Sequence, residues 1–81
     1  MTAYTREPIV GDLVRWTKRG VVRQGMVLAV VPVDTPAALI ARRNNLRTWR
    51  FQGGTRDCVS YLVHVRGRGT YWPTSKLEIT A

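Results

Sequence analysis

Cysteine, histidine and acidic side chains are all scarce in this sequence, and each scarcity excludes a class of protein. Cys58 is the only cysteine and His64 the only histidine, so neither an internal disulfide nor a site built from several such ligands can form. None of the five acidic residues lies within a few positions of another, which leaves no local pair of carboxylates for general acid and base catalysis. We therefore expect no metal, no cofactor and no catalytic residues, in the reducing setting of a cytoplasmic protein.

Long apolar runs are absent as well. No segment approaches the roughly 18 apolar residues that a membrane span needs, and the polar residues 1–8 lack the apolar stretch of a signal peptide. A chain of 81 residues, of which 44% are hydrophobic, allows one domain over residues 1–81 with a small core. We expect no association with membranes.

Short apolar runs rich in Val, Tyr and Trp are present instead. Five such runs, separated by Gly and Pro, predict strands over 13–17, 26–31, 60–66, 70–72 and 77–80. Several short strands in so small a chain indicate an all-β protein, a small barrel of about five strands.

Residues 32–57 interrupt this pattern and predict an insertion in the barrel. Residues 36–46 favour a short helix of about two turns, with Pro36 at the first helical position and Thr35 as its cap. Residues 47–51 alternate as an extra strand would. The insertion is longer than an ordinary hairpin loop, which indicates structure or function of its own.

The second predicted strand, Met26–Val31, is apolar on both faces, whereas a strand of an isolated small barrel has one polar face. Something must cover its outer side, either the 32–57 insertion or another copy of the chain. A homo-oligomer would also help to stabilise so small a core.

Glycines and turn residues follow a characteristic order at both ends of the chain. Gly11 and Asp12 precede the first strand, and Gly25 falls where a second strand would bend around a narrow barrel. Residues 72–79 follow the order of a strand, a single 3₁₀ turn and a final strand. The opening order, from Gly11-Asp12 to Gly25, resembles that of small SH3-like barrels, including the KOW type of ribosomal and transcription-elongation proteins. The order at residues 72–79 resembles the end of the same kind of barrel. The resemblance implies an SH3-like barrel of about five strands with an inserted short helix and extra strand.

Four short motifs follow one another along the chain: Gly11-Asp12-x-Val14-Arg15, Gln24-Gly25, Tyr61-x-Val63 and Pro73-x-x-x-Leu77-Glu78. Their order resembles that of the plasmid-borne type II dihydrofolate reductases, small SH3-like chains that form a tetramer around one pore. That family's pore lysine aligns with Trp16, and its ligand-binding Val-Gln-Ile-Tyr stretch aligns with residues 69–72. The resemblance therefore supports the barrel, while the functional residues are not matched and we expect no reductase activity.

Basic and aromatic residues are interleaved along the chain, which has a formal charge of +8. Residues 13–33 and 35–56 contain no acid, and all but two of the thirteen basic residues are arginines. Arginine binds phosphate bidentately and stacks on bases, and exposed aromatic rings stack on unpaired bases. We therefore predict a nucleic-acid-binding surface formed by Arg19, Arg23, Arg42, Arg43, Arg47, Trp49, Arg50, Arg68, Tyr71 and Trp72.

Three functions stay open at this point. The first is a non-enzymatic module that binds nucleic acid. The second is a protein-interaction or assembly subunit with an acidic partner, such as an accessory subunit of a larger ribonucleoprotein or phage particle, in a protein of bacterial or phage origin. The third is a reductase-like pore enzyme. Four residues that could serve a function have a structural role as the alternative. We expect Trp16 in the core and Trp49 in contact with the barrel, where it would hold the insertion in place. We expect Cys58 as a small buried hydrophobe and His64 as a partly exposed strand residue.

Overall fold

Five antiparallel strands and one short helix make up the fold of the residues that the structure describes. The computed structural model describes residues 7–46, 54–73 and 76–80. Its elements are β1 (Leu13–Lys18), β2 (Val21–Val31), α1 (Ala37–Arg43), β3 (Ser60–Val65), β4 (Gly69–Tyr71) and β5 (Glu78–Ile79). The strands form one sheet in the order β4-β3-β2-β1-β5. The prediction of an all-β domain with five strands and an inserted short helix is confirmed.

The edges of this sheet show how far the barrel is formed. In the described part of the chain β4 and β5 lie at opposite edges and do not pair, so backbone hydrogen bonds do not close the barrel. The predicted extra strand at 47–51 lies outside the described residues. No helix among the described residues is long and apolar enough to cross a membrane.

β2 begins five residues before the apolar run that predicted it. Its pairing with β1 continues through Arg23, Gln24 and Gly25, although these residues break the apolar pattern. Gly25 is needed there, because a Cβ atom at this position would meet the carbonyl oxygen of His64 and lie 2.6 Å from Cγ1 of Val63. β2 and β3 therefore approach each other too closely for any side chain at residue 25.

We expect Gly25→Ala to lower the free energy of unfolding by about 1–3 kcal/mol, because the added methyl group must push β2 away from the backbone of β3. Urea unfolding followed by circular dichroism measures the change. Gln24→Ala, at the exposed neighbouring position, is the control and should stay within about 0.5 kcal/mol of the wild type. Equal stability of the Gly25 variant and the wild type would contradict the close approach.

A β-bulge at Leu28 divides β2 into two halves. Val27 pairs with Val63 of β3, but the next pair joins Ala29 to Leu62, with Leu28 as the extra residue between them. Because side chains alternate between the two faces of a strand, one extra residue reverses that alternation. Val27 therefore shares a face with Val63, and Ala29 shares the opposite face with Leu62.

Each face of the sheet accordingly carries its own hydrophobic cluster. The inner cluster contains Val14, Trp16, Val27, Val63, Val65 and Ile79. The helix cluster contains Ala29, Val31 and Leu62 of the sheet with Ala37, Ile40 and Ala41 of α1. Trp16 is 3% exposed, as predicted for a core residue. The outer side of the second predicted strand was to be covered either by the insertion or by another copy of the chain. Of these two, the helix of the insertion packs on the second half of β2.

The start of α1 differs from the prediction. Pro36 is the N-cap residue rather than the first helical one, with extended backbone at φ −63° and ψ 129°, and no side chain caps the helix. Thr35 was predicted as the cap, which is wrong. Its hydroxyl donates to the carbonyl of Val33 at 3.3 Å and its backbone N–H to that of Pro32 at 3.2 Å, so the turn before the helix uses both donors.

Two neighbouring residues of α1 test the helix cluster. Ile40 is 8% exposed within the cluster, whereas Leu39 is 38% exposed. We expect Ile40→Ala to cost about 2–3 kcal/mol of unfolding free energy, because it leaves a cavity between helix and sheet. Leu39→Ala should cost less than about 1 kcal/mol. Thermal and urea unfolding of both variants measure the difference, and similar losses would mean that α1 is not anchored through Ile40.

Candidate functional site

A groove of about 300 Å³ lies where the inner face of the sheet continues past the inner cluster, at the β1–β2 hairpin. The register of the hairpin explains part of its lining. Trp16 lies opposite Arg23, and Lys18 lies opposite Val21, so these four side chains share one face. The complete lining is Trp16, Lys18, Arg19, Val21, Arg23, Tyr71, Trp72 and Pro73.

The described lining of this groove is basic and contains no acid. Lys18 and Arg19 are exposed, and Arg19 occupies the turn into β2 with a left-handed backbone at φ 52°. Arg23 is half-buried, and its guanidinium lies over the ring of Tyr71, 5.6 Å from the centroid. This distance is within the range of a cation–π contact. The groove therefore presents three cations beside aromatic rings and concentrates positive potential there.

Trp72 is held by two residues from the end of the insertion and the start of β3. Its indole Nε1 donates to Oγ of Ser60 at 2.8 Å. The guanidinium of Arg56 lies over the indole, 3.7 Å from the ring centroid. The Nη atoms of Arg56 donate to the carbonyl oxygens of Pro73 at 2.6 Å and Trp72 at 3.0 Å. The half-buried indole is thus fixed at its edge, over its ring and through its own backbone.

Two titratable groups near these residues have shifted pKa values. Burial lowers the pKa of the Arg56 guanidinium, and the Cys58 thiol acts in the opposite direction. Arg56 nevertheless stays charged near neutral pH, because arginine keeps its proton under those conditions. Burial raises the pKa of Tyr61, and the charges of Glu7 and Cys58 act in the same direction.

The structure gathers only some of the residues predicted to bind nucleic acid. Four of them line the groove: Arg19, Arg23, Tyr71 and Trp72. Three others lie elsewhere, since Arg42 and Arg43 end α1 and Arg68 belongs to the β3–β4 turn. The remaining three, Arg47, Trp49 and Arg50, lie outside the described residues.

Sequence reasoning missed two residues of this site. Lys18 lies next to Arg19 and could have been found from that position alone. Arg56 holds Trp72 from 16 residues away, and no local pattern signals such a contact.

The two residues that raised the question of catalysis also have clear positions. Cys58 is exposed, so the prediction of a buried cysteine is wrong. It lies in an irregular bend flanked by Asp57, before β3 begins at Ser60. His64 is exposed on β3 as predicted, beside Met26 and Thr70 of the neighbouring strands. Within the described ranges no three His, Cys, Asp or Glu residues gather around a possible metal position.

No family model, curated protein or solved structure matches this chain. The resemblance to SH3-like barrels therefore stays a prediction from the order of the motifs. The function must be inferred from the groove itself.

The pKa shift of Tyr61 predicts a loss of stability in alkali. The folded protein holds the phenolic proton more tightly than the unfolded chain does, so this contribution is complete below the unfolded pKa of about 10. It is lost as the pH rises above that value. We expect Tm to fall more steeply above about pH 10 for the wild type than for Tyr61→Phe, as measured by thermal unfolding monitored by circular dichroism. Parallel curves for the two proteins would contradict this.

Proposed function

We propose that this protein is a non-enzymatic module that binds nucleic acid through the groove at the β1–β2 hairpin. The observation that carries the proposal is the combination of three cations with the half-buried Tyr71 in one groove whose described lining contains no acid. Phosphates attract lysine and arginine, and bases stack on aromatic rings. The SH3-like resemblance supports it as well, because small β-barrels commonly bind polymers through strand faces and loops.

The basic residues outside the groove have a different role in this proposal. Arg42, Arg43 and Arg68 are exposed and add to the formal charge of +8. Such charge raises the rate of encounter with a polyanion at long range and is screened by salt. Lys18 and Arg19, at the rim of the groove, contact the phosphates next to the bound base.

A second candidate function, contact with another protein or with a second copy of the chain, is favoured by one apolar surface. Leu13 and Met26 lie opposite each other on β1 and β2 and are 47% and 40% exposed. In the preceding turn Ile9 and Val10 are 58% and 61% exposed. The N–H of Gly11 donates to the carbonyl of Val27 at 2.9 Å, which places this turn beside β2. Apolar surface of this kind is typical of interaction sites.

Two pairs of neighbouring arginine and lysine residues test the groove. We expect Lys18→Gln/Arg19→Gln to weaken binding about tenfold near 100 mM salt and to lower the salt slope, because it removes two phosphate contacts. Arg42→Gln/Arg43→Gln removes the same charge from the end of α1 and should change affinity less than about threefold. Fluorescence anisotropy with labelled single-stranded and duplex oligonucleotides of about 12 nucleotides measures both.

The wild type provides the salt dependence against which the variants are compared. Two phosphate contacts predict a slope of log affinity against log salt of about −1.4 for single strands and about −1.8 for B-DNA. Equal losses in the two double variants would assign binding to diffuse charge and not to the groove. If the wild type binds none of these probes at low salt, the proposal is wrong. A defined oligomer in light scattering would then favour the second candidate.

A further inference from the structure

A second groove, of about 490 Å³, lies where β5 meets the edge strand side of β1, and we call it the edge groove. Its complete lining is Arg15, Trp16, Thr17, Val22, Lys76 and Glu78. Among the described residues β5 pairs with β1 at Val14 and Arg15, so Trp16 lies just past the end of that pairing. Lys76, two residues before the start of β5, is exposed. The edge groove therefore lies at the rim of the sheet and carries a cation that faces solvent.

The edge groove and the groove at the hairpin are neighbours along β1. Trp16 lines both of them. Thr17 lines the edge groove, whereas the next residue, Lys18, lines the groove at the hairpin. One step along a strand covers roughly 3.3 Å, and the phosphates on one strand of B-DNA follow one another at roughly 3.4 Å along the helix axis. A nucleic-acid strand that leaves one groove can therefore reach the other within a few nucleotides.

The charged side chains of the edge groove are two cations and one acid. Arg15 and Glu78 lie opposite each other on β1 and β5, and an Nη atom of Arg15 donates to Oε1 of Glu78 at 2.7 Å. Their side chains are 45% and 67% exposed, and ion pairs that remain in contact with water are weak. Within the described ranges no ion pair joins Lys76 to an acid. The edge groove thus presents one available cation and a second that an acid engages.

We propose that a strand bound in the groove at the hairpin continues into the edge groove, where Lys76 contacts a further phosphate, and that Glu78 limits this second site by holding Arg15. The inference rests on the proposed nucleic-acid function and deepens it by naming a second phosphate site. Arginine binds phosphate bidentately, but the guanidinium of Arg15 already donates to Glu78. The negative charge of Glu78 also repels a phosphate in the same groove.

Loss of the Lys76 charge tests the second phosphate site. The two contacts at the hairpin give a salt slope of about −1.4 on single strands, and a third contact adds about −0.7. We therefore expect Lys76→Gln to weaken binding about threefold near 100 mM salt and to make the slope less steep by about 0.7. Fluorescence anisotropy with labelled single strands of about 12 nucleotides measures both.

Arg66→Gln is the matched control for Lys76→Gln. Arg66 is exposed in the β3–β4 turn, is not among the residues that line either groove, and its loss removes the same charge. We expect its affinity to stay within about twofold of the wild type, with the salt slope unchanged, because charge far from the bound strand is screened.

Loss of the Glu78 charge tests the restraint on Arg15 and should act in the opposite direction. We expect Glu78→Gln to bind about threefold more tightly than the wild type, with a slope steeper by about 0.7, because Arg15 becomes available for a phosphate. The matched control is Asp34→Asn, in the turn that follows β2 at the opposite end from the hairpin. Asn tolerates the left-handed backbone there, at φ 55°, and the affinity should change less than about twofold.

A double variant shows whether the gain passes through Arg15. Arg15→Gln/Glu78→Gln keeps the net charge of the wild type and removes both members of the exposed pair. We expect its affinity to return to within about twofold of the wild type, because the added phosphate contact is gone. Thermal unfolding establishes that each variant is folded before its affinity is compared.

The outcomes separate this inference from the proposed function. If the double variant at the hairpin weakens binding while Lys76→Gln behaves as its control does, the edge groove is not a phosphate site and the proposed function stands. Equal effects of Glu78→Gln and its control, or a gain that survives the loss of Arg15, overturn the restraint by Glu78. If the wild type binds no oligonucleotide at low salt, the inference and the proposed function fail together.

Discussion

The β-bulge at Leu28 determines how this small chain buries its apolar side chains. By reversing the alternation of β2, it directs Val27 into the inner cluster and Ala29 and Val31 toward α1. One strand thus serves cores on both faces of a single sheet. The first half of β2, from Val21 onward, extends beyond the inner cluster, and there the inner face becomes the groove. The groove is therefore a consequence of the same packing that stabilises the fold.

The insertion between β2 and β3 is tied to the sheet by Arg56, and this tie connects the fold to the candidate site. Its backbone carbonyl accepts a hydrogen bond of 2.8 Å from the N–H of Asp34, which joins the two ends of the insertion. Its side chain holds Trp72 and the carbonyl of Pro73. One residue thus joins the two ends of the insertion and fixes Trp72 beside Ser60 at the start of β3.

Local patterns predicted most of the strands, because alternation along a strand records which face is buried. They missed the start of β2, where Gly25 breaks the apolar run only because β3 lies against it. They also predicted a buried position for Cys58, which is exposed. The burial of a residue type is a statistical preference and does not fix where one residue lies. For the site, composition and neighbouring motifs selected Arg19, Arg23, Tyr71 and Trp72, whereas Arg56 required the fold.

The sequence by itself determined the charge, the number of strands and the small supply of catalytic groups, because these follow from composition and from periodicity between near neighbours. Only the tertiary structure decided which basic residues share a surface. Register placed Arg23 opposite Trp16 and over Tyr71, while Arg42 and Arg43 ended on the helix. The physical reason is that strand pairing and the bulge bring together residues far apart in sequence, and no local pattern encodes those pairings.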